Sequence, residues 1–231
     1  MDKPPIWLRP ERAARGPRPA HSRAEIAAAA VRVADTDGLE AVSMRRVAAE
    51  LGTGTTSLYR YVDGKDELFD LMVDQAMGDR PLPVPTGDWR TDLRALADTQ
   101  RARALRHPWL VRLPATRPVL GPNMLAWLEA TYAAVDAPGL SADEVLAQAS
   151  TLLTFVRGHV LEELAERESS QAMADWLAQQ SRYGERVIRS GDYPHLSRMM
   201  IEAGTPHADD RFDRLYERSL GHVLAGLAAE R

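Results

Sequence analysis

The chain has 231 residues, no cysteine and a formal net charge of -4. That length can bury a substantial core, while the lack of cysteine excludes disulfides, thiolate metal sites and catalytic thiols. No apolar run reaches the roughly 18 residues of a membrane span. The opening Met1-Asp2-Lys3-Pro4-Pro5 also lacks the apolar stretch of a signal peptide, so a cytoplasmic protein with no membrane partner is expected. The charge is unevenly divided: residues 1–65 carry 11 Lys/Arg against 8 Asp/Glu, and residues 66–231 carry 18 against 25. A basic leading segment on an acidic body fits a polyanion-binding head, and it equally fits a solvated arm with no partner.

The composition is that of an all-α chain. Alanine, leucine, arginine and glutamate dominate and strand-like alternation is absent. Residues 1–20 hold Pro4, Pro5, Pro10, Pro17 and Pro19 among Arg9, Arg12, Arg15 and Arg18, which reads as a flexible basic arm. Four short helices are predicted next: Ser22 to Asp37, stopped by Gly38; Ser43 to Leu51; Thr55 to Tyr61; and Lys65 to Met77. Pro81, Pro83 and Pro85 then break the helical pattern and mark the clearest boundary. Beyond it, helices are predicted over 88–106 and 122–135. The Ser141–Glu144 capping box opens a long one to Arg167. A more polar helix follows over 169–190, then a short one from Pro194. The last carries a stripe of Phe212, Leu215, Tyr216, Leu220, Val223, Leu224 and Leu227. The expected organisation is an arm (1–20), a three-helix helix-turn-helix head with its connecting helix (21–79), and a larger helical body (86–231).

The most informative stretch runs from Ser43 to Val62. Two short helices that cross closely need a small residue at the crossing, which Ala48 supplies, and a sharp turn, for which Gly52 can take a positive φ. Val47, Leu51 and Leu58 can then share a core with Ile26, Ala30 and Val33. Thr55, Thr56, Ser57, Tyr59, Arg60 and Tyr61 are left on or near the exposed side of the third helix. Such hydroxyl, methyl and cationic side chains suit base edges and phosphates in a major groove. An ordinary helical hairpin with a polar face has the same local pattern.

The longer string through Tyr59-Arg60-Tyr61-Val62-Asp63-Gly64-Lys65-Asp66-Glu67-Leu68 resembles the tetracycline-repressor (TetR) family over about residues 22–70. The resemblance implies a DNA-binding regulator acting on double-stranded operator DNA, most simply a repressor. Ser43 and Arg45 would approach phosphates, Thr55, Thr56, Ser57, Tyr59 and Tyr61 would lie in the groove with Arg60 nearby, and Lys65 would hold a phosphate. Tyr59 or Tyr61 could instead be half-buried packing, and Ser43 could cap its helix as well as touch a phosphate.

A looser similarity covers the body. Ala115-Thr116-Arg117-Pro118, the run Phe155 to Glu162 and the ending Asp210 to Leu215 resemble the C-terminal domain of the tetracycline repressor. That similarity implies a homodimer through the helices at about 141–167 and 209–229. It also implies a cavity for a small organic effector among the helices of residues 88–167. Trp109, Thr116, Met124, Trp127, Thr131, Leu152, Phe155 and His159 are the candidate lining residues, each also a candidate for plain core. Tetracycline-binding relatives place a metal-coordinating histidine where this chain has Leu113. Glu162 alone matches the metal shell, so no metal, no cofactor and no tetracycline–magnesium recognition are expected. The six histidines show no metal-ligand spacing, and no phosphate loop or nucleophile elbow occurs, so catalysis is not expected. A TetR-like activator and a helical interaction module that does not bind DNA remain the alternatives.

Overall fold

In the computed structural model, residues 4–10, 20–113, 119–169, 173–203, 208 and 210–229 are described, and all regular structure among them is helical. Two compact units form, one up to residue 160 and one over 161–230. The first contains α1 (Arg23–Asp37), α2 (Met44–Glu50), α3 (Thr55–Leu58), α4 (Lys65–Met77), α5 (Trp89–Arg106), α6 (Trp109–Arg112), α7 (Pro122–Val135) and most of α8 (Ala142–Glu168).

Capping sets the start of α1. The Ser22 hydroxyl accepts from the Glu25 amide at 3.1 Å, while the Glu25 carboxylate accepts from the Ser22 amide at 2.6 Å. These bonds to Ser22 hold the Glu25 carboxyl below its ordinary range. The helix packs against α2 and α4. Ile26, Val47, Leu58, Leu68 and Met72 are fully enclosed there, and each such side chain contributes about 1.5–3 kcal/mol of burial. Leu51, expected in this core, is only half-buried.

Three features depart from the sequence reading. The arm is not wholly loose: Ile6–Leu8 forms a 3-10 turn with Ile6 only 3% exposed. Arg23 donates to the Ile6 and Arg9 carbonyls at 2.9 and 2.8 Å, and Arg9 pairs with Asp63 at 2.6 Å and with Glu67. The apolar triplet Ile6-Trp7-Leu8 supplies the anchor that the surrounding prolines and arginines obscured; residues 11–19 lie outside the described residues. The second departure is α3, which is regular only to Leu58 and then tightens through i→i+3 bonds, Tyr61 N–H to Leu58 O at 2.9 Å among them. The third is the single turn α6, too short to leave a periodic pattern after Pro108.

In α8 the predicted capping box is formed, Ser141 N–H donating to Glu144 at 2.6 Å. The second unit holds the end of α8 with α9 (Met173–Ser190), α10 (Pro194–Glu202) and α11 (Arg211–Ala228). Arg211 pairs with Glu166, and α9 packs on α10. The apolar stripe of α11 and a matching one on α8, the two helices expected to pair in a dimer, are largely buried within the single chain. Ala149, Leu152, Val156, Val160 and Leu164 of α8 are buried, as are Tyr216, Leu220, Leu224 and Leu227 of α11. Val145, Phe212 and Val223 are half-buried, and Leu215 is 51% exposed. A helix of this amphipathicity is satisfied equally by its own chain or by a partner, and the sequence pattern does not separate the two.

Candidate nucleic-acid interface and small-molecule cavity

The turn between α2 and α3 is built as its residues require. Gly52 takes φ +65°, and the Thr53 amide donates to Ala48 O at 2.9 Å, closing α2 against the start of α3. Ser43 caps α2 by accepting from the Arg46 amide at 3.2 Å and stays exposed, beside exposed Arg45. Arg46 is occupied by Asp37 and Glu50, at 3.1 and 3.3 Å. Leu58 points inward, wholly buried, leaving Thr56, Tyr59 and Arg60 outward, with Tyr59 53% exposed. Thr55 and Ser57 are half-buried. So is Tyr61, whose hydroxyl accepts from the His21 amide at 3.3 Å and whose carbonyl accepts from Arg23 at 3.4 Å. Lys65 opens α4 from an exposed position, its ammonium 5.1 Å above the ring of Phe69.

The far end of α4 is held by buried polar groups that the sequence reading did not single out. Asp74 is buried and accepts from the Asn123 and Met124 amides at the start of α7, both at 2.9 Å. Gly121 makes this approach feasible, since a Cβ there would lie 2.3 Å from the Asp74 carboxylate. Burial pushes the Asp74 carboxyl up, opposed by these hydrogen bonds. Just beyond α4, Asp79 faces the His107 Nε2 at 3.2 Å and the Nε of fully buried Arg103 at 3.6 Å. The other His107 nitrogen lies 2.8 Å from Asp35 of α1, which also accepts from the Trp109 indole at 2.7 Å. Desolvation pulls the Arg103 guanidinium down, countered by Asp79. No local motif could reveal this cluster, because His107 lies 72 residues from Asp35 and 28 from Asp79.

A cavity of about 640 Å³ opens between α4, α5, α6, α7 and α8. Phe69, Val73 and Met77 come from α4, Leu110 and Val111 from α6, Met124 and Trp127 from α7, and Leu153 and Val156 from α8. Leu113 adds to this apolar wall. Polar groups are few: Asp66, Asp70, Gln100 and Arg157. Of the sequence candidates, Met124 and Trp127 line the cavity. Trp109 turns its indole to Asp35, Thr131 donates to the Trp127 carbonyl, and Leu152 is core. Phe155 and His159 lie ring to ring at 6.0 Å outside the lining, and Thr116 is outside the described residues. Glu162 is exposed on α8. Among the described residues no three His, Asp or Glu gather as a metal site, and no helix is long and apolar enough to cross a membrane. The sequence reading drew the cavity from residues 88–167 and so missed the α4 wall, whose apolar residues are indistinguishable from core by periodicity.

A helix-turn-helix with an exposed hydroxyl-rich reading face, carried on a helical body with a ligand-sized cavity, defines a DNA-binding transcriptional regulator. Residues 26–72 match the model of the bacterial regulatory proteins of the tetR family, and residues 81–231 match that of the tetracyclin repressor-like C-terminal domain. The HTH-type transcriptional repressor DrrR1 of Streptomyces coeruleorubidus is 38% identical over 88% of this chain and 78% of its own length. An HTH-type transcriptional regulator of Saccharopolyspora erythraea is 37% identical over 97% and 91%. Among solved structures, ActR of Streptomyces coelicolor in complex with (S)-DNPA superposes with a TM-score of 0.74 at 31% identity, covering 93% of this chain and all of that one. ActR with actinorhodin gives 0.73 at 29% identity, over 91% and 97%. The chain belongs to the tetR family of transcriptional regulators.

Proposed function

We propose that the protein is a cytoplasmic repressor that binds an inverted-repeat operator as a homodimer and is released when a small organic molecule fills the cavity. The head is residues 21–79 and the body 86–231. The carrying observation is α4 itself, which starts with exposed Lys65 and presents Phe69, Val73 and Met77 to the cavity. A molecule that displaces this helix displaces a phosphate-binding cation with it. Release requires that the molecule prefer the conformation unfit for DNA, because equal affinity for both shifts nothing. The name of DrrR1 and the two ActR complexes support the reading.

In this reading Ser43, Arg45 and Lys65 hold phosphates, and Thr55, Thr56, Ser57 and Tyr59 meet base edges with Arg60 nearby. Tyr61 braces the start of α1 through its bond to His21. The dimer uses the exposed faces of α8 and α11 rather than their buried stripes. On α8, Ala147, Thr151, Thr154, Gly158, Leu161 and Ala165 are exposed at alternating four- and three-residue steps. On α11, Leu215, Arg218, His222 and Ala225 repeat the pattern. A Cβ on Gly158 would meet nothing within 4 Å in this chain, leaving room for a partner's backbone.

The test is a footprint on the DNA upstream of the protein's own gene. Two half-sites with centres about 34–36 Å apart are expected, with affinity falling steeply as salt rises. Thr154→Arg should give folded monomers by sedimentation and lose tight operator binding; a dimer that still binds DNA would place the interface elsewhere. An activator uses the same head, so a transcription assay in which bound protein raises output would reverse the sign of the regulation.

A further inference from the structure

Asp79, in the turn after α4, stands between two groups and is fully engaged by neither. Its Oδ2 lies 3.2 Å from the His107 Nε2, and Arg106, 60% exposed, approaches the same oxygen at 3.5 Å. Its Oδ1 is buried and, among the described residues, makes no hydrogen bond. Facing it at 3.6 Å is the Nε of Arg103, whose side chain is wholly enclosed. The Arg103 Nη1 donates to Gln100 at 2.7 Å, whereas Nε and Nη2, the two atoms of its side-on fork, are buried without an acceptor among the described residues. A buried guanidinium edge and a buried carboxylate oxygen left unmade side by side are costly, and native structures keep few such groups without a reason. A shift of roughly 1 Å closes the gap to the length of a charge-assisted bond, about 2.7–2.9 Å. Bidentate pairing with the fork uses both carboxylate oxygens, so it takes Oδ2 over from His107. Each of the three residues stands within three positions of the cavity wall: Met77 before Asp79, Gln100 and Ala104 around Arg103, and Leu110 after His107.

We propose that Asp79 is a positioning residue with two stations. On His107, whose other ring nitrogen lies 2.8 Å from Asp35, it ties the end of α4 to α1 and holds α4 in the operator-binding position. On the Arg103 fork it ties the end of α4 to α5 instead and holds α4 away from that position. The proposal rests on the reading of the protein as an operator-binding repressor. One buried group with two discrete arrangements is the kind of element through which a filled cavity biases a distant head.

The experiment uses the full-length protein and the footprinted DNA upstream of its own gene, with affinity read by fluorescence anisotropy. His107→Phe removes the first station and keeps a ring in its place; operator affinity should fall about tenfold or more. Adding Arg103→Met, which removes the second station, should return the affinity to within about threefold of wild type. Arg103→Met alone should bind as tightly as wild type or tighter. Arg106 remains beside Asp79 in every variant. A packing role predicts the reverse of rescue, because a second buried substitution adds to the damage of the first. Where Met at position 103 prevents folding, Arg103→Lys, which keeps the charge and lacks the fork, should give the same rescue. The free protein supplies a second readout that needs no DNA: the Arg103 Nε–H signal should move downfield in His107→Phe as the fork takes up Asp79. A double variant that binds no better than His107→Phe, or an Arg103 signal that stays in place, would overturn the two stations while leaving the repressor reading intact. A wild-type protein that leaves no footprint removes the repressor reading and the role of Asp79 with it.

Discussion

The two ends of α4 are held by different chemistry. At its start, Arg9, itself mostly covered, bridges Glu67 and the 40% exposed Asp63, and exposed Lys65 rests on Phe69. At its end, buried Asp74 caps α7, and half-buried Asp79 meets buried His107 and Arg103, a cluster tied to α1 through Asp35. Exposed pairs exchange readily with water and salt and are worth little, whereas buried polar groups are costly to disturb. The end nearest the reading motif is therefore held by pairs more open to water, and the end nearest the body by the buried groups Asp74, Arg103 and His107.

The strongest break of the contrast is His107→Ala. It removes the donor that Asp35 and Asp79 share and leaves a void where His107 was buried, and should lower stability by up to about 3 kcal/mol. A denaturation midpoint within error of wild type would dismiss the cluster as ornament. Asp74→Ala comes next, with a loss of about 1–3 kcal/mol, because it orphans two amides at the start of α7. Asp74 also sharpens the picture through pH. Its folded carboxyl lies above the ordinary value of 3.8, so the folded state binds the proton more readily. Its favourable contribution is complete below pH 3.8 and is lost as pH rises through the raised value. Urea midpoints for wild type and Asp74→Asn should therefore drift apart in the variant's favour as pH climbs out of the acid range; a constant gap counts against the burial effect.

On the exposed side, Tyr59→Ala or Thr56→Ala should weaken specific operator binding by about 1–3 kcal/mol and relax base preference. Lys65→Ala should weaken binding to every sequence and lower the salt slope by about one, with the melting temperature unmoved. Unchanged operator affinity in both Tyr59→Ala and Lys65→Ala would refute this face as the reader. The smallest effect belongs to Arg9→Ala, about 1 kcal/mol because Asp63 is exposed and Glu67 is half-buried; a larger loss of stability would mean that the N-terminal turn is integral to the head.

The same contrast separates what the sequence discloses from what it does not. Caps, turn glycines and helix spans are local, so Ser22, Gly52 and the Ser141–Glu144 box could be read directly and α1, α2, α4, α5, α7 and α8 fell near their expected bounds. The reading face was accessible because Leu58 alone of its turn is wholly apolar. The Asp35–His107–Asp79 cluster joins residues far apart in the chain, and no periodicity encodes it. Cavity and core also share one alphabet. Met124 and Leu152 look alike in sequence, yet one lines the cavity and the other is enclosed. The docked Ile6 shows the reverse error, composition masking a single anchoring side chain.

The single turn α6 carries a quantitative consequence. Trp109 faces Asp35 of the head while Leu110 and Val111 face the cavity, so one turn of helix touches both sites. If occupancy is relayed along this turn, the gain of the relay is capped by the contacts it can break. These are the bonds from Trp109 and His107 to Asp35, and hydrogen bonds to charged groups are worth about 1.5–3 kcal/mol each. Through thermodynamic linkage a coupling of about 1–3 kcal/mol corresponds to a change in operator affinity of roughly 5- to 150-fold. Losing one bond keeps the response inside that range, and a steeper dose–response would need a second route between cavity and head.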